Sequence, residues 1–378
     1  MFVCFNNGSS SKDDTTIQDF LLDAMSCCIK GAKVYGSVYK FDREEFASSL
    51  VERAGNESEL KLNFQLACGF ADMDSSAASS INRILKGLMG SAKVYTVDPE
   101  GMMNHNKFML FQAIDLGKLK RKQPKWAVGD GPFNWTPALY LSSANLTYSS
   151  NGKHNNSVLV PIDAAIYNAL EWYSGELEQE YESSSQGDNT SKENRYLKIK
   201  SDRCKVYLFP RREGSHPSEF TDMLVGVLKN LPHAHSKSSR ACEIRIAVPA
   251  WYDTREELAR TVAECSKNGA WVRIKTRKPG SSSVGTDLGE KIEKILRKAK
   301  GDLEYRYQDS GESIHSKYVL IDGPYRDGDA HREQKLVWTG SPNFSGHAVY
   351  NHWEMICKLY QETGAYEVFK NDFEALPA

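Results

Sequence analysis

No apolar run in this sequence approaches the ~18–20 residues that a membrane span needs. The chain also has no excess of either charge, with 48 basic and 49 acidic residues among 378. Proteins that bind along phosphate backbones usually have a basic excess or a basic stripe. The charge balance therefore argues mildly against a nucleic-acid substrate, although it remains compatible with a local basic cleft.

Closely spaced cysteine pairs are also absent. The eight cysteines include no C-x-x-C pair, which disfavours a zinc ribbon or a thioredoxin-type site. Several of them lie in helix- or strand-like runs, which favours buried thiols. One or more disulfides is the alternative.

The sequence opens without a signal peptide, because residues 2–5 lead directly into a polar loop. A start this close to the first core strand is typical of a secreted protein whose leader has been removed. It is equally typical of a cytoplasmic protein. We expect a secreted mature form, with the cytoplasm as the alternative location.

A short pattern occurs twice in the chain. His105 and Lys107 precede an apolar run at residues 108–111, and His315 and Lys317 precede another at 318–321. Residues two apart on a β-strand point to the same side, so each histidine shares a face with its lysine. The recurrence indicates two copies of one module.

Each of these strands is followed by a second strand that ends in a polar element. The first element is S-S-A-N at residues 142–145, and the second is G-S-P-N at residues 340–343. An imidazole, an ammonium and a carboxamide then lie on neighbouring strand ends. This combination of groups is suited to holding a phosphate.

At these positions the sequence resembles the phospholipase D superfamily. That family is marked by two H-x-K-x-x-x-x-D motifs, each followed by a G-S/S-S-x-N element. The second copy here matches in full, ending at Asp322, whereas the first copy has Gln112 at the aspartate position. The resemblance covers most of the chain, and the paired motif is specific where a single H-x-K is not.

The resemblance implies a phosphodiesterase that needs no metal and no cofactor. It assigns His105 as the nucleophile that forms a phosphohistidine and His315 as the general acid and base; the exchanged roles are the alternative. Glu354 resembles the family's orienting acid, and we align Ser157 with it in the first half. The predicted catalytic residues are His105, His315, Lys107, Lys317, Asn145, Asn343, Asp322 and Glu354, and the predicted substrate-binding residues are Ser143 and Ser341. For Asp322 we favour a structural role at the strand end over direct participation.

The order of apolar patterns predicts an α/β fold made of two similar α/β/α sandwich halves. Each half is expected to hold a mixed β-sheet flanked by helices, related to the other by pseudo-two-fold symmetry. We place the halves at residues 1–181 and 196–378. Residues 182–195 are rich in Ser, Asn and Glu, which favours a linker.

The expected function is hydrolysis or exchange of a phospholipid headgroup by a monomer. A nuclease of the same chemistry is the alternative, and a catalytically silent phosphate- or lipid-binding module is the third reading. The basic run at 118–125 is predicted as a solvated hairpin loop, with an anion- or membrane-surface patch as the alternative. Residues 279–285 are predicted as a flexible loop or, alternatively, as a mobile lip over the cleft, while His233, His235 and His331 are too weak a pattern for a metal site.

Overall fold

The computed structural model describes most of the chain. The described residues are 1–7, 14–69, 74–96, 98, 102–129, 134–185, 196–200, 204–211, 219–229, 242–277, 288–308, 313–327, 330–360 and 363–377. Most of the predicted linker, all of residues 279–285, His233, His235 and the side chain of His331 lie outside the described residues.

The first half alternates strands and helices as its apolar pattern predicts. Its strands are β1 Phe2–Asn7, β2 Lys33–Val38, β3 Asn63–Gly69, β4 Met89–Tyr95, β5 Met103–Asn104, β6 Lys107–Asp115, β7 Trp135–Ser142 and β8 Lys153–Pro161. Its helices are α1 Thr16–Met25, α2 Glu44–Ala54, α3 Ser75–Leu85, α4 Leu116–Lys122, α5 Tyr148–Asn151 and α6 Ala164–Ser185.

The second half repeats this plan. Its strands are β9 Leu197–Lys200, β10 Cys204–Leu208, β11 Glu243–Ala247, β12 Trp271–Arg277, β13 Leu303–Gln308, β14 Ser313–Ile314, β15 Tyr318–Asp327, β16 Ala330–Gly340, β17 His352–Trp353 and β18 Met355–Leu359. Its helices are α7 Glu219–Leu228, α8 Glu256–Lys267, α9 Glu290–Lys298, α10 Gly346–Tyr350 and α11 Thr363–Ala375.

The two large sheets have matching strand orders. The first runs β1-β8-β7-β6-β2-β3-β4 and the second β13-β12-β11-β15-β16-β18-β10-β9. In each, three consecutive strands pair in parallel and the strand beside them is antiparallel, so both sheets are mixed as predicted; β14 also pairs in parallel with β8 of the first sheet. When the second order is read backwards, its strands correspond in position to those of the first sheet. The corresponding pairs are β10 and β1, β18 and β8, β16 and β7, β15 and β6, and β11 and β2. The sequence duplication is therefore a duplication of topology.

One apolar core joins the two halves. It contains residues of both sheets together with α6 and α11. The Phe369 ring on α11 lies 5.2 Å from the ring of Phe5 in the first sheet and 5.0 Å from that of Tyr318 in the second. Burying this shared surface fixes the halves face to face, because the hydrophobic effect rewards the apolar area removed from water.

The basic run at 118–125 is not the predicted hairpin loop. Residues 116–122 form α4, whose buried Leu116 and Leu119 lie three residues apart on one face. The Asp115 carboxylate accepts a hydrogen bond of 2.8 Å from the Lys118 N–H and caps the helix. The prediction was wrong because the lysines and arginine concealed this two-leucine face.

All eight cysteines lie in the described part of the chain, where each is buried and none forms a disulfide. The prediction of buried thiols is therefore confirmed, and the disulfide alternative is wrong. Among the described helices, none is long and apolar enough to cross a membrane.

Candidate active site

His105 and His315 occupy equivalent places, each between a two-residue strand and a long one. The short strand before each histidine pairs with the other half: β5 pairs with β17, and β14 pairs with β8. The His105 N–H donates to the Trp353 carbonyl at 3.0 Å, and the His315 N–H donates to the His154 carbonyl at 2.8 Å. Backbone hydrogen bonds thus hold each histidine against the opposite half.

The side chain of each histidine is also oriented from the opposite half. His105 Nδ1 lies 2.7 Å from Glu354 Oε1, and His315 Nδ1 lies 2.8 Å from Asn155 Oδ1. A partner on one ring nitrogen fixes the tautomer and the ring orientation. Both contacts occupy Nδ1, so Nε2 is the ring nitrogen through which each histidine could react.

The motif lysines lie beside the histidines with which they share a motif. Lys107 Nζ donates to the His105 carbonyl at 2.7 Å, and Lys317 Nζ donates to the His315 carbonyl at 2.9 Å. Lys317 Nζ also lies 3.4 Å from both ring nitrogens of His315. Both lysines are buried, so their charges act through a medium of low dielectric.

The motif asparagines each have a buried amide oxygen without a partner. Among the described residues, no hydrogen bond is made to Oδ1 of Asn145 or to Oδ1 of Asn343. Which amide atom is oxygen is assigned from the hydrogen-bond network. A buried polar group without a partner costs free energy that a bound ligand can recover. A phosphodiester has no hydrogen to donate to these oxygens, so each amide fits a phosphate site through its NH2 group, with the side chain turned to present it.

Solved structures with the same arrangement of strands and helices support this view of the fold. Phosphatidylserine synthase from Haemophilus influenzae is 11% identical with a TM-score of 0.60, and the match covers 99% of this chain and 86% of that one. Polyphosphate kinase from Porphyromonas gingivalis is 9% identical with a TM-score of 0.57. That match covers 100% of this chain but 50% of the kinase, so the chain spans about half its length.

A family model described as "Cardiolipin synthase, PLD-like domain" matches residues 234–376, which include the second motif. Over these residues the chain is therefore similar to the phospholipase D superfamily. No curated protein sequence matches it. The predicted fold, two halves of mixed sheet flanked by helices, is confirmed as the phospholipase D fold.

The residue that orients His315 is Asn155, not the predicted Ser157. Ser157 Oγ instead donates to the Cys4 carbonyl at 3.3 Å. Glu354 follows Asn343 by 11 residues and Asn155 follows Asn145 by 10, because α5 has 4 residues where α10 has 5, whereas Ser157 follows Asn145 by 12. A count that allowed for one missing residue in this short helix would have moved the prediction towards Asn155.

Ser143 and Ser341, predicted to bind substrate, contact the orienting side chains instead. Ser341 Oγ donates to the second carboxylate oxygen of Glu354, and Ser143 Oγ donates to Asn155 Oδ1 at 3.3 Å. Both serines are completely buried. Each phospholipase D half thus supplies a serine and an acceptor that together hold the histidine of the other half.

Asp322 and Gln112 lie away from the histidines. Asp322 follows Lys317 by five residues, which places it roughly 16 Å along the strand. It is buried opposite Glu243 in the neighbouring strand, which favours the structural role, and its catalytic assignment stays a prediction. Gln112 Oε1 accepts a hydrogen bond of 3.0 Å from the Lys33 N–H. The departure from the phospholipase D motif in the first half therefore leaves the site intact.

Burial dominates the electrostatics of the site. It lowers the pKa of His105 to about 4 and that of Lys107 to about 7, and it lowers the pKa values of His315 and Lys317 well below their ordinary values. Burial alone would raise the pKa of Glu354. Its contact with His105 and the charge of Lys107 outweigh burial and lower this pKa to about 2. Without a ligand, Glu354 is therefore ionised and both imidazoles are neutral.

Sequence reasoning missed several residues around His105. The Tyr39 ring lies 5.1 Å from the His105 ring, and Lys107 Nζ lies 5.4 Å from the Tyr39 ring centre. His352 Nδ1 lies 3.9 Å from Glu354 Oε1, so this carboxylate faces two imidazoles. The H-x-E spacing of residues 352–354, in extended chain at β17 and just after it, is the signal that would have found His352.

Proposed function

We propose that the protein is a phosphodiesterase that hydrolyses or exchanges a phospholipid headgroup through a phosphohistidine, with no metal required. The main support for this proposal is that each half orients the histidine of the other half. Glu354 holds His105, and Asn155 holds His315, across the interface of the halves. The charge of Lys317 also acts on the pKa of His105, and that of Lys107 on the pKa of His315. One anion placed between the halves would meet all of these groups.

His105 is the nucleophile in this proposal. Its Nε2 forms a bond to phosphorus while the bond from phosphorus to the leaving oxygen breaks, and the ring becomes positively charged. The ionised Glu354 beside Nδ1 stabilises that charge, as a carboxylate does in other nucleophile–base pairs. Asn155 is neutral and offers no such stabilisation to His315.

His315 is the general acid and base. It gives a proton to the leaving oxygen, then takes one from water or an alcohol, which attacks phosphorus and releases His105. In the free protein burial and neighbouring cations lower the pKa of His315 well below its usual range. A bound phosphate offsets those cations and raises this pKa, so His315 gains its proton together with the substrate.

A lipid substrate has more support than the alternatives. The matching family model and one of the two similar solved structures are both named after enzymes of phospholipid synthesis. The near-neutral charge of the chain points the same way. We therefore infer a phospholipid as the substrate class.

A nuclease is the second candidate, favoured by a basic groove on the second half. This groove lies between α8 and α9, has a volume of about 790 Å³, and is lined by Lys267, Lys291, Lys294, Lys298 and Lys300 together with Glu256 and Glu264. Basic grooves of this kind follow phosphate backbones.

One assay separates the candidates. The protein is incubated with EDTA and either fluorescent phosphatidylcholine or single-stranded DNA, and both products are quantified. We expect lipid turnover that survives chelation while the DNA stays intact. Cleaved DNA with intact lipid would support the nuclease instead, and tight vanadate binding without any turnover would support the silent binding module.

A further inference from the structure

Two basic side chains lie next to the strand that leads into His315. Arg277 is the last residue of β12, and its Nε donates to the Ile314 carbonyl at 2.8 Å, one residue before the histidine. Lys153 is the first residue of β8 and is the register partner of Ser313. Neither residue belongs to the paired motifs.

These cations extend the charge of the motif lysines on one side of the site. The charges of Lys153 and Arg277 both lower the pKa of His315, after burial and Lys317. The pKa of Lys153 itself is lowered by burial and then by Arg277 and Lys40. Like charges held this close repel one another, and a bound anion relieves the repulsion.

The side of the site around His105 contains a carboxylate and aromatic rings in place of these cations. His105 faces the carboxylate of Glu354, the ring of Tyr39 and the ring of His352. Among the described residues, Glu354 is the carboxylate that principally acts on the motif lysines, and its closest contact with an imidazole is to His105. The positive charge is therefore concentrated on the His315 side, where the leaving group would lie.

A single phosphodiester carries one negative charge, and Lys107, Lys317 and the two asparagines already suffice for it. We propose that Lys153 and Arg277, with Lys40 nearby, form a subsite for a second phosphate bonded directly to the one that reacts. The preferred substrate is then a diphosphate diester, and a lipid with one phosphate is bound with a raised KM. This inference rests on the proposed function for the position of the first phosphate.

The test is calorimetric titration of the full chain with inorganic phosphate, pyrophosphate and a deoxynucleoside 3′,5′-bisphosphate. We expect pyrophosphate to bind at least about tenfold more tightly than phosphate, as hydrogen bonds to two further cations would give. In Arg277→Met and in Lys153→Met most of this advantage should disappear. Thermal unfolding of each variant shows whether it is folded, and Arg277→Lys provides a milder change at the same position.

Arg273→Met is the matched control. Arg273 lies on the same strand as Arg277 but at its other end, where it pairs with Asp302 and Glu304. This variant should keep the preference for pyrophosphate. Equal affinities for phosphate and pyrophosphate, or equal losses for both ligands in Arg277→Met, would overturn the subsite.

Tighter binding of the bisphosphate than of pyrophosphate would overturn the diphosphate assignment, because its phosphates are separated by a sugar as in a nucleic-acid strand. The titrations measure binding alone. A protein that binds pyrophosphate through Arg277 but cleaves no phosphodiester would contradict the proposed function and leave the subsite standing.

Discussion

At the scale of single residues, each imidazole of the site is held through Nδ1 by a side chain from the other half. The repeated motifs predicted His105, His315 and their lysines, because these residues recur at fixed spacing, whereas Glu354 was predicted from the family resemblance. Asn155 was missed, since one helix is a residue shorter in the first half. Lys153 and Arg277 were missed because neither belongs to the repeated motifs.

Replacing either histidine should abolish turnover without unfolding the protein. His105→Ala removes the nucleophile and His315→Ala removes the proton donor, so each is expected to lose activity by roughly 10³-fold or more. Initial rates with a fluorescent phosphodiester, together with circular dichroism, measure both effects. His347→Ala changes an exposed histidine and serves as the control. Near-normal rates in either active-site variant would contradict the two-histidine mechanism.

The pKa of Lys107, lowered by burial to about 7, predicts how anion binding depends on pH. Below that value Lys107 is charged and attracts an anion, and above it the charge is lost. Sulfate keeps its own charge constant through this range, so its affinity should fall as the pH rises from about 6 to about 8.5. Calorimetric titration at several pH values measures the trend, and a constant affinity would refute the assigned protonation of the site.

At the scale of elements, most helices and the long strands followed from their apolar periodicity, whereas α4 and the shortest strands did not. β5, β14 and β17 have two residues each and are defined by their partners in the opposite half. Such strands have no periodic pattern of their own. They nevertheless position both histidines, so the elements that build the site are the ones that the sequence pattern did not predict.

Helix α11 contains a carboxyl group with an unusual titration. Burial raises the pKa of Asp372 to about 7, and the Tyr318 hydroxyl donates to its Oδ2 at 2.7 Å. The pKa of Asp372 is higher in the folded protein than in the unfolded chain, so the protonated carboxyl favours the folded state. This contribution to the free energy of unfolding is complete below about pH 4 and is lost as the pH rises through about 7.

Asp372→Asn should remove this dependence. At about pH 8 the variant is expected to be more stable than the parent protein by about 1–2 kcal/mol, and at about pH 4 the gain should vanish. Urea denaturation at both values measures the difference. Glu52→Gln, which changes an exposed carboxyl on α2, should show no such gain. A gain of equal size at both values would show that the carboxyl is not protonated in the folded protein.

At the scale of the whole molecule, the chain is two copies of one topology joined through a shared apolar core. The order of elements in the sequence predicted the two similar sheets and their helices. It did not predict how closely the halves are joined, with α11 touching both sheets and the hydroxyl of Tyr173 on α6 donating to the Phe209 and Glu354 carbonyls. Those contacts depend on side chains that meet only after the halves dock.

A crystal structure of the protein with bound orthovanadate tests the central claim most directly. Vanadate adopts the five-coordinate geometry of a phosphorus atom under attack. We predict one vanadate ion between the halves, bonded to Nε2 of His105 and within hydrogen-bonding distance of Nε2 of His315 and of both motif lysines. Two ions bound in separate pockets, or one ion contacting the histidine of a single half, would contradict the account.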